Sequence, residues 1–226
     1  MLNTVTYERR LLSAEDLTLV QELLTQGEWG QSKQEVSNYL TGTQTNSEMP
    51  LCELRQRISF ILMQNSERDE EFINLTFPIR STVAILSKTE EGEGFKTHLD
   101  NPANGEYSTT VFLSDPDSYE GGELCLYISG EERKFKLPAG YALTYETAVP
   151  HCVAPVTKGV RHAAIFWTTS RIENPHYREI LTDLRKIKNL LPDRISYDLS
   201  ETETDLKFLV NGVENKLTRY FLTDRR

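Results

Sequence analysis

Between about residue 75 and residue 170 the chain is a succession of short runs rich in Val, Ile, Phe, Tyr and Thr, each cut off by Gly, Pro or Asp. Runs of this length and composition, bounded by turn residues, form strands. Strands are expected near 82–87, 95–100, 108–114, 123–128, 132–137, 141–146, 150–154 and 161–169. Tyr119-Glu120-Gly121-Gly122 and Pro138-Ala139-Gly140 supply turns. Eight short strands with so few residues between them close into a sandwich or barrel, and the jelly roll is the eight-stranded solution.

Helical patterning flanks this segment on both sides. Ser13 followed by Glu15 and Asp16 is a helix start, with an oxygen cap and acids in the first turn. Leu17, Val20, Leu23 and Leu24 then recur at helical spacing up to Gly27. Pro50 is expected at the first position of a second helix, whose buried stripe is Leu51, Leu54, Ile58, Ile61 and Leu62. Residues 30–49 between them are polar, and read either as a surface loop or as a lid that contacts substrate. After the β segment, Asn174-Pro175 starts a helix carrying Tyr177, Ile180, Leu181, Leu184, Ile187 and Leu191, stopped by Pro192. Ser200 opens a last amphipathic helix with Leu206, Leu209, Val210, Val213, Leu217, Tyr220 and Phe221. The fold class is therefore mainly β with flanking helices. One domain spans 1–170 (helices 1–75, jelly-roll core 76–170), and 171–226 is a helical extension that covers the sheet or forms a homodimer contact.

With 38% hydrophobic and 26% charged residues among 226, the chain can bury a real core. Its net charge of −9 and lack of Lys/Arg runs argue against nucleic acid as a main partner. There is no apolar stretch of membrane-spanning length and no signal-peptide core, so no membrane partner is expected. Cys52, Cys125 and Cys152 are an odd, widely spaced set, as in a reduced protein, and a cytoplasmic location is expected.

The chemistry is carried by His98-Leu99-Asp100, His151 and Arg161. Residues two apart on a strand share a face, so His98 and Asp100 leave in one direction and Leu99 in the other. An H-x-D tripeptide alone is usually a pair of surface residues. Joined by a distal His after Pro150, expected to close the triad from across the sandwich, and an Arg ten positions on, inside an all-β segment, it is a metal-site pattern. Two imidazoles and one carboxylate suit iron(II) with an open face, and also a hydrolytic zinc. Arg161 separates the two. On a strand antiparallel to the one that begins at His151, it would point into the same cavity, and a buried guanidinium needs a carboxylate. Either an internal acid supplies it, or a ligand such as 2-oxoglutarate does, held by a bidentate pair. By parity Ala163, Ile165 and Trp167 face the same way, so Trp167 would wall the pocket. His162 faces away, and His176 lies on a helix outside the β core.

At these residues the chain resembles the iron(II)/2-oxoglutarate dioxygenases. Within them it is most similar to the prolyl 4-hydroxylase-like branch and its PKHD-type hydroxylases. The motifs are T-H-L-D-N-P (97–102), T-V-F-L-S-D-P-D-S-Y-E-G-G-E-L (110–124), K-L-P-A-G (136–140), P-H-C-V-A-P-V-T-K-G-V-R (150–161) and A-I-F-W (164–167). R-E-I-L-T-D-L (178–184) is similar to the PKHD helical extension. The resemblance implies a double-stranded β-helix with iron(II) on His98, Asp100 and His151. It implies 2-oxoglutarate on Arg161, Trp167 beside it, O2 as co-substrate and ascorbate as reductant. Thr89 stands nine residues before His98, where the family often has a co-substrate-binding Tyr, and is assigned to the cofactor site. Phe112 occupies the place of another such Tyr and has no hydrogen to donate. A carboxylate at residue 100 favours hydroxylation over halogenation.

The function expected is hydroxylation of an unactivated C–H bond in a prolyl or similar residue of a protein or peptide, with D-N-P (100–102) and the loop 101–107 near the substrate. A free amino acid or other small molecule is the alternative substrate, and a non-catalytic iron/2-oxoglutarate sensor the alternative class.

Overall fold

The computed structural model describes residues 6–31, 46–190 and 201–223. Helices α1 (Ala14–Thr25), α2 (Glu53–Glu67) and α3 (Glu70–Thr76) come before the main β segment, and α4 (Pro175–Leu190) and α5 (Glu201–Thr223) after it. The strands are β1 (Tyr7–Arg10), β2 (Gly30–Gln31), β3 (Ser47–Glu48), β4 (Pro78–Ser81), β5 (Ile85–Thr89), β6 (Phe95–His98) and β7 (Tyr107–Phe112). They continue with β8 (Tyr119–Gly121), β9 (Leu124–Ile128), β10 (Glu131–Phe135), β11 (Tyr141–Glu146), β12 (His151–Val153), β13 (Val156–Gly159) and β14 (Arg161–Ser170). All eight expected strands are present, within a few residues of their expected bounds.

A major sheet runs β1-β11-β7-β14-β5-β3-β2, with β4 paired to the far half of β14. A minor sheet runs β10-β9-β12-β6, and β8 pairs with β13 as a separate ribbon. The two sheets face each other as the walls of a jelly-roll cup. Alternation along the strands builds two cores from the major sheet. Its outer face packs Leu86, Val111, Ala142, Ala164 and Phe166 against Val20, Leu23 and Leu24 of α1 and Ile58 and Leu62 of α2. Its inner face contributes Phe112, Leu143 and Tyr145, which meet Leu124, Leu126 and Ile128 of the minor sheet. Strand β7 is buried at every position because both of its faces are covered.

Helix α1 is capped as its sequence predicts, with Ser13 Oγ accepting from the Asp16 N–H at 3.0 Å. The second helix differs from expectation. It begins at Glu53, with Cys52 at the N-cap and no side-chain cap bond, so Pro50 is not its first residue. The Arg55 guanidinium explains the delay: it donates to the carbonyls of Ala84 (2.6 Å) and Met49 (3.0 Å), pinning the entry segment to the sheet. Leu51 is correspondingly 65% exposed and leaves the buried stripe. Helix α3 was not expected, since seven residues are too few to show periodicity. Its cap is nevertheless local: Asp69 accepts from the Phe72 N–H at 3.0 Å.

Leu181 of α4 and Phe221 of α5 form a third apolar cluster with Phe77 and Ile172. Arg178 ties α4 to the sheet, donating to the Tyr107 hydroxyl (3.0 Å) and to the carbonyls of Ile172 (2.8 Å) and Glu173 (2.7 Å). The expected stop at Leu191-Pro192 and cap at Ser200 lie outside the described residues, as does most of the polar 30–49 segment. The ends of that segment are β2 and β3, which lengthen the major sheet beside β5. No helix among the described residues is long and apolar enough to cross a membrane.

Candidate metal and co-substrate site

His98 ends β6 and His151 opens β12, and the two are register partners across that antiparallel pair. The expectation that His151 closes the triad from the opposite wall is therefore corrected: both imidazoles stand side by side on the minor sheet, with ring centroids 4.2 Å apart. Only the pairing of strands distant in sequence could reveal this. Asp100 lies just past the end of β6 and reaches over to the major sheet. There its Oδ2 accepts from Ser108 Oγ at 2.6 Å and from the Trp167 indole N–H at 2.9 Å.

Both histidines are held in one tautomer. His98 Nδ1 lies 2.9 Å from the Lys96 carbonyl, and His151 Nδ1 lies 2.9 Å from the Val149 carbonyl. A carbonyl only accepts, so each Nδ1 carries the proton and each Nε2 presents a lone pair. Those Nε2 atoms stand 3.6 Å from Asp100 Oδ1 and Oδ2 respectively. The ligand atoms of the three residues all lie within 4.8 Å of one another. Burial by itself would raise the Asp100 pKa. The adjacent His98 and His151 and the Ser108 and Trp167 donors outweigh it and hold the carboxyl at about 2. Burial pushes His151 below the usual imidazole value. The donor set is thus a carboxylate and two neutral imidazoles aimed at one point, which fits a divalent metal with open positions.

Arg161 opens β14 on the other wall. The expectation that its strand pairs with the one beginning at His151 is not met: β13 intervenes, β12 belongs to the minor sheet and β14 to the major. The side chain still enters the same cavity, whose lining includes His98, Asp100, His151, Arg161, Ile165 and Trp167. The cavity encloses about 650 Å³ including its open mouth. Parity along β14 holds, because Ala164 and Phe166 pack in the outer core and His162 sits against Trp29 with centroids 5.3 Å apart. His176 is on α4, exposed.

Arg161 is 2% exposed. Among the described residues it has no carboxylate partner, and its Nε is buried without a hydrogen-bond partner. Burial lowers its pKa, opposed by contact with the Tyr119 hydroxyl. Phe112 lies beneath the guanidinium at 5.6 Å. Thr89, buried, is the register partner of Arg161 on β5 and lines the cavity. Room for the arginine stem comes from Gly122, at φ +67: a Cβ there would stand 3.1 Å from Arg161 Cδ and 3.0 Å from Tyr119. A buried guanidinium that lacks an acid partner among the described residues and shares a cavity with the candidate metal ligands fits the distal carboxylate of a dicarboxylate ligand.

Three further residues of the site, Ser108, Tyr145 and Asn46, were not singled out one by one from sequence. Ser108 joins the Trp167 N–H in holding the Asp100 carboxylate. Tyr145 lines the cavity with its ring 5.2 Å from His151. Asn46 lines it too, its Nδ2 donating to Ser87 Oγ at 2.7 Å while its Oδ1 is buried without a partner. Ser108 carried a readable signal, two positions inside the strand after the ligand carboxylate and on the cup-facing parity. Asn46 carried none.

Residues 84–169 match the 2OG-Fe(II) oxygenase superfamily. The chain is 31% identical to a PKHD-type hydroxylase of Pseudomonas putida over 77% of this chain and 82% of that protein. It is 27% identical to a PKHD-type hydroxylase of Cupriavidus metallidurans over 93% and 96%. Its fold is similar to that of a Pseudomonas putida prolyl-4-hydroxylase (TM-score 0.55, 14% identity, covering 74% of this chain and 94% of that one). It is also similar to a Trichoplax adhaerens prolyl hydroxylase solved with a hypoxia-inducible-factor peptide (TM-score 0.56, 16% identity, 80% and 87%). With its jelly-roll cup, its matched core and relatives aligned along most of their length, the chain belongs to the PKHD-type hydroxylases of the 2OG-Fe(II) oxygenase superfamily.

Proposed function

We propose that this enzyme hydroxylates an unactivated C–H bond of a prolyl or similar residue in a protein or peptide. In this reading His98, Asp100 and His151 hold Fe(II), and Arg161 takes the distal carboxylate of 2-oxoglutarate with Thr89 beside it. The observation that carries the reading is the buried, acid-free Arg161 in the same cavity as the triad. Bound there, Fe(II) would couple O2 to the oxidation of 2-oxoglutarate to succinate and CO2 and to oxygen insertion into the substrate.

The chain's own residues do the positioning. Ser108 and Trp167 fix the plane of the Asp100 carboxylate, and the Lys96 and Val149 carbonyls keep each Nε2 free of protons. Phe112 gives the Arg161 guanidinium an apolar face, which strengthens its pairing with a carboxylate by excluding water. A peptide substrate is supported by the open cavity mouth and by Asn46 Oδ1, an acceptor that a substrate N–H would satisfy. The likeness to a prolyl hydroxylase solved with a peptide points the same way. Ascorbate is the proposed reductant that keeps the metal ferrous.

The test is to incubate protein, Fe(II), ascorbate and 2-oxoglutarate with a panel of proline-containing peptides and free amino acids. Succinate release together with a peptide heavier by one oxygen atom is expected. Turnover of free amino acids alone would replace the peptide reading with the small-molecule one. Tight 2-oxoglutarate binding without succinate from any member of the panel would favour a sensor.

A further inference from the structure

On the outside of the minor sheet, Cys125 of β9 and Cys152 of β12 are register partners, directly opposite each other in an antiparallel pair. Their neighbours Leu126 and His151 point the other way, into the cup. The bonds Tyr127 N–H to Pro150 O (2.9 Å) and Ala154 N–H to Glu123 O (2.9 Å) bracket the pair symmetrically, so it occupies a hydrogen-bonded position of the ladder. Opposed residues at such a position have Cα atoms about 5.5 Å apart, inside the range a disulfide spans. The two thiols are near enough for each to feel the other's charge. Both are free, Cys125 buried and Cys152 half-exposed. Cys52, the third cysteine, stands apart at the N-cap of α2.

We propose that Cys125 and Cys152 are a redox modification site, closing into a reversible cross-strand disulfide when a peroxide reaches the outer face. The exposed partner reacts first. The Cys152 sulfur attacks one peroxide oxygen, the O–O bond breaks, and Cys152 sulfenic acid and one water form. The Cys125 thiol then attacks the sulfenic sulfur. The S–O bond breaks, the S–S bond forms, and the hydroxyl leaves as a second water with the thiol proton. Sulfur loses two electrons overall and peroxide gains them.

Closing the bond draws the two Cβ atoms from about 5 Å to about 3.8 Å. That shift strains the pair, which places the disulfide among the readily reduced ones. It also acts on the residue peptide-bonded to Cys152, which is His151. The modification therefore bears on the site from its back, without blocking the cavity.

The test treats the folded protein, loaded with Mn(II) so that peroxide is not consumed by ferrous iron, with hydrogen peroxide. Free thiols are then alkylated and the chain is digested. The expected result is loss of two hydrogens per chain by intact mass, one alkylated cysteine (Cys52), and a linked peptide pair containing Cys125 and Cys152. Dithiothreitol should restore all three thiols. Cys152→Ser should abolish the linkage, whereas Cys52→Ser should leave it unchanged. Three alkylated cysteines after treatment, a linkage through Cys52, or stepwise over-oxidation of Cys152 with Cys125 still free would each overturn the proposal. Because the readout is covalent, its outcome is independent of which substrate the enzyme hydroxylates.

Discussion

The Trp167 indole N–H and Asp100 Oδ2 are 2.9 Å apart, a hydrogen bond from the longest strand of one sheet to the candidate metal-ligand carboxylate just past the end of a strand of the other. It makes Trp167 more than a wall. The indole fixes the rotation of Asp100, and with Ser108 it leaves Oδ2 accepting two hydrogen bonds at once. Trp167→Phe keeps an aromatic ring and deletes the donor. Divalent-metal affinity should fall by roughly 10–100-fold, in line with other hydrogen bonds behind metal ligands. Titration with Mn(II) or Fe(II) measures this, and an unchanged affinity would show that the bond is incidental.

Arg161 has opposite effects on stability and on binding. A buried cation without an acid partner is costly until a ligand carboxylate meets it. Arg161→Met fills a similar volume without the charge. The ligand-free variant should melt about 2–4 °C higher for each kcal/mol regained, while the stabilisation that wild type gains from 2-oxoglutarate should disappear. Thermal melts with and without 2-oxoglutarate check both signs. A variant that still responds to the co-substrate would remove Arg161 from the site.

Among the described residues Asn46 Oδ1 has no donor to accept from, and Asn46 lines the cavity. Ionised 2-oxoglutarate has no N–H or O–H to offer, so the proposed donor is a substrate N–H. Asn46→Leu should raise the KM for a hydroxylated peptide by about tenfold, the effect of about 1.4 kcal/mol, and leave the KM for 2-oxoglutarate unchanged. The reverse split would move Asn46 to the co-substrate.

His162, packed between Trp29 and Ser114, titrates below the ordinary imidazole value, chiefly because it is buried and secondarily because Lys88 is near. Its folded pKa is lower than its unfolded one of about 6.5, so on acidification the unfolded chain takes up the proton first. Stability should therefore drop as pH falls from about 7 to about 5. His151 acts in the same direction. In His162→Gln the slope of Tm against pH should be shallower but not flat. An identical slope would mean that His162 takes up its proton at the same pH in the folded and the unfolded chain.

Arg178 joins the C-terminal helices to the strand that follows the metal ligands, through Tyr107 and two carbonyls. Arg178→Ala strands several buried acceptors and should cost about 2–4 kcal/mol. Protease cleavage should become faster within α4 and α5, while the jelly-roll core resists longer. Uniform protection would mean that the extension is held mainly by its apolar cluster around Phe77 and Leu181.

Much of this protein was legible along the chain, and the reason is periodicity. Alternation of two placed Arg161 with Trp167 on a shared face and sent His162 outward, and the H-x-D spacing kept Asp100 beside His98 although Asp100 lies past the end of β6. Spacing of three and four set the buried stripes of α1 and α2, and a local oxygen marked the α1 start at Ser13. Motif order in 97–124 and 150–167 carried the family resemblance. What alternation does not contain is which strand lies beside which. Only the folded sheets made His98 and His151 cross-strand neighbours, put Arg161 on the opposite wall, turned Trp167 and Ser108 onto Asp100, and set Cys125 against Cys152. Those juxtapositions come from pairing residues tens of positions apart. Burial of both faces of the major sheet selects that pairing, and no local stretch of sequence encodes it.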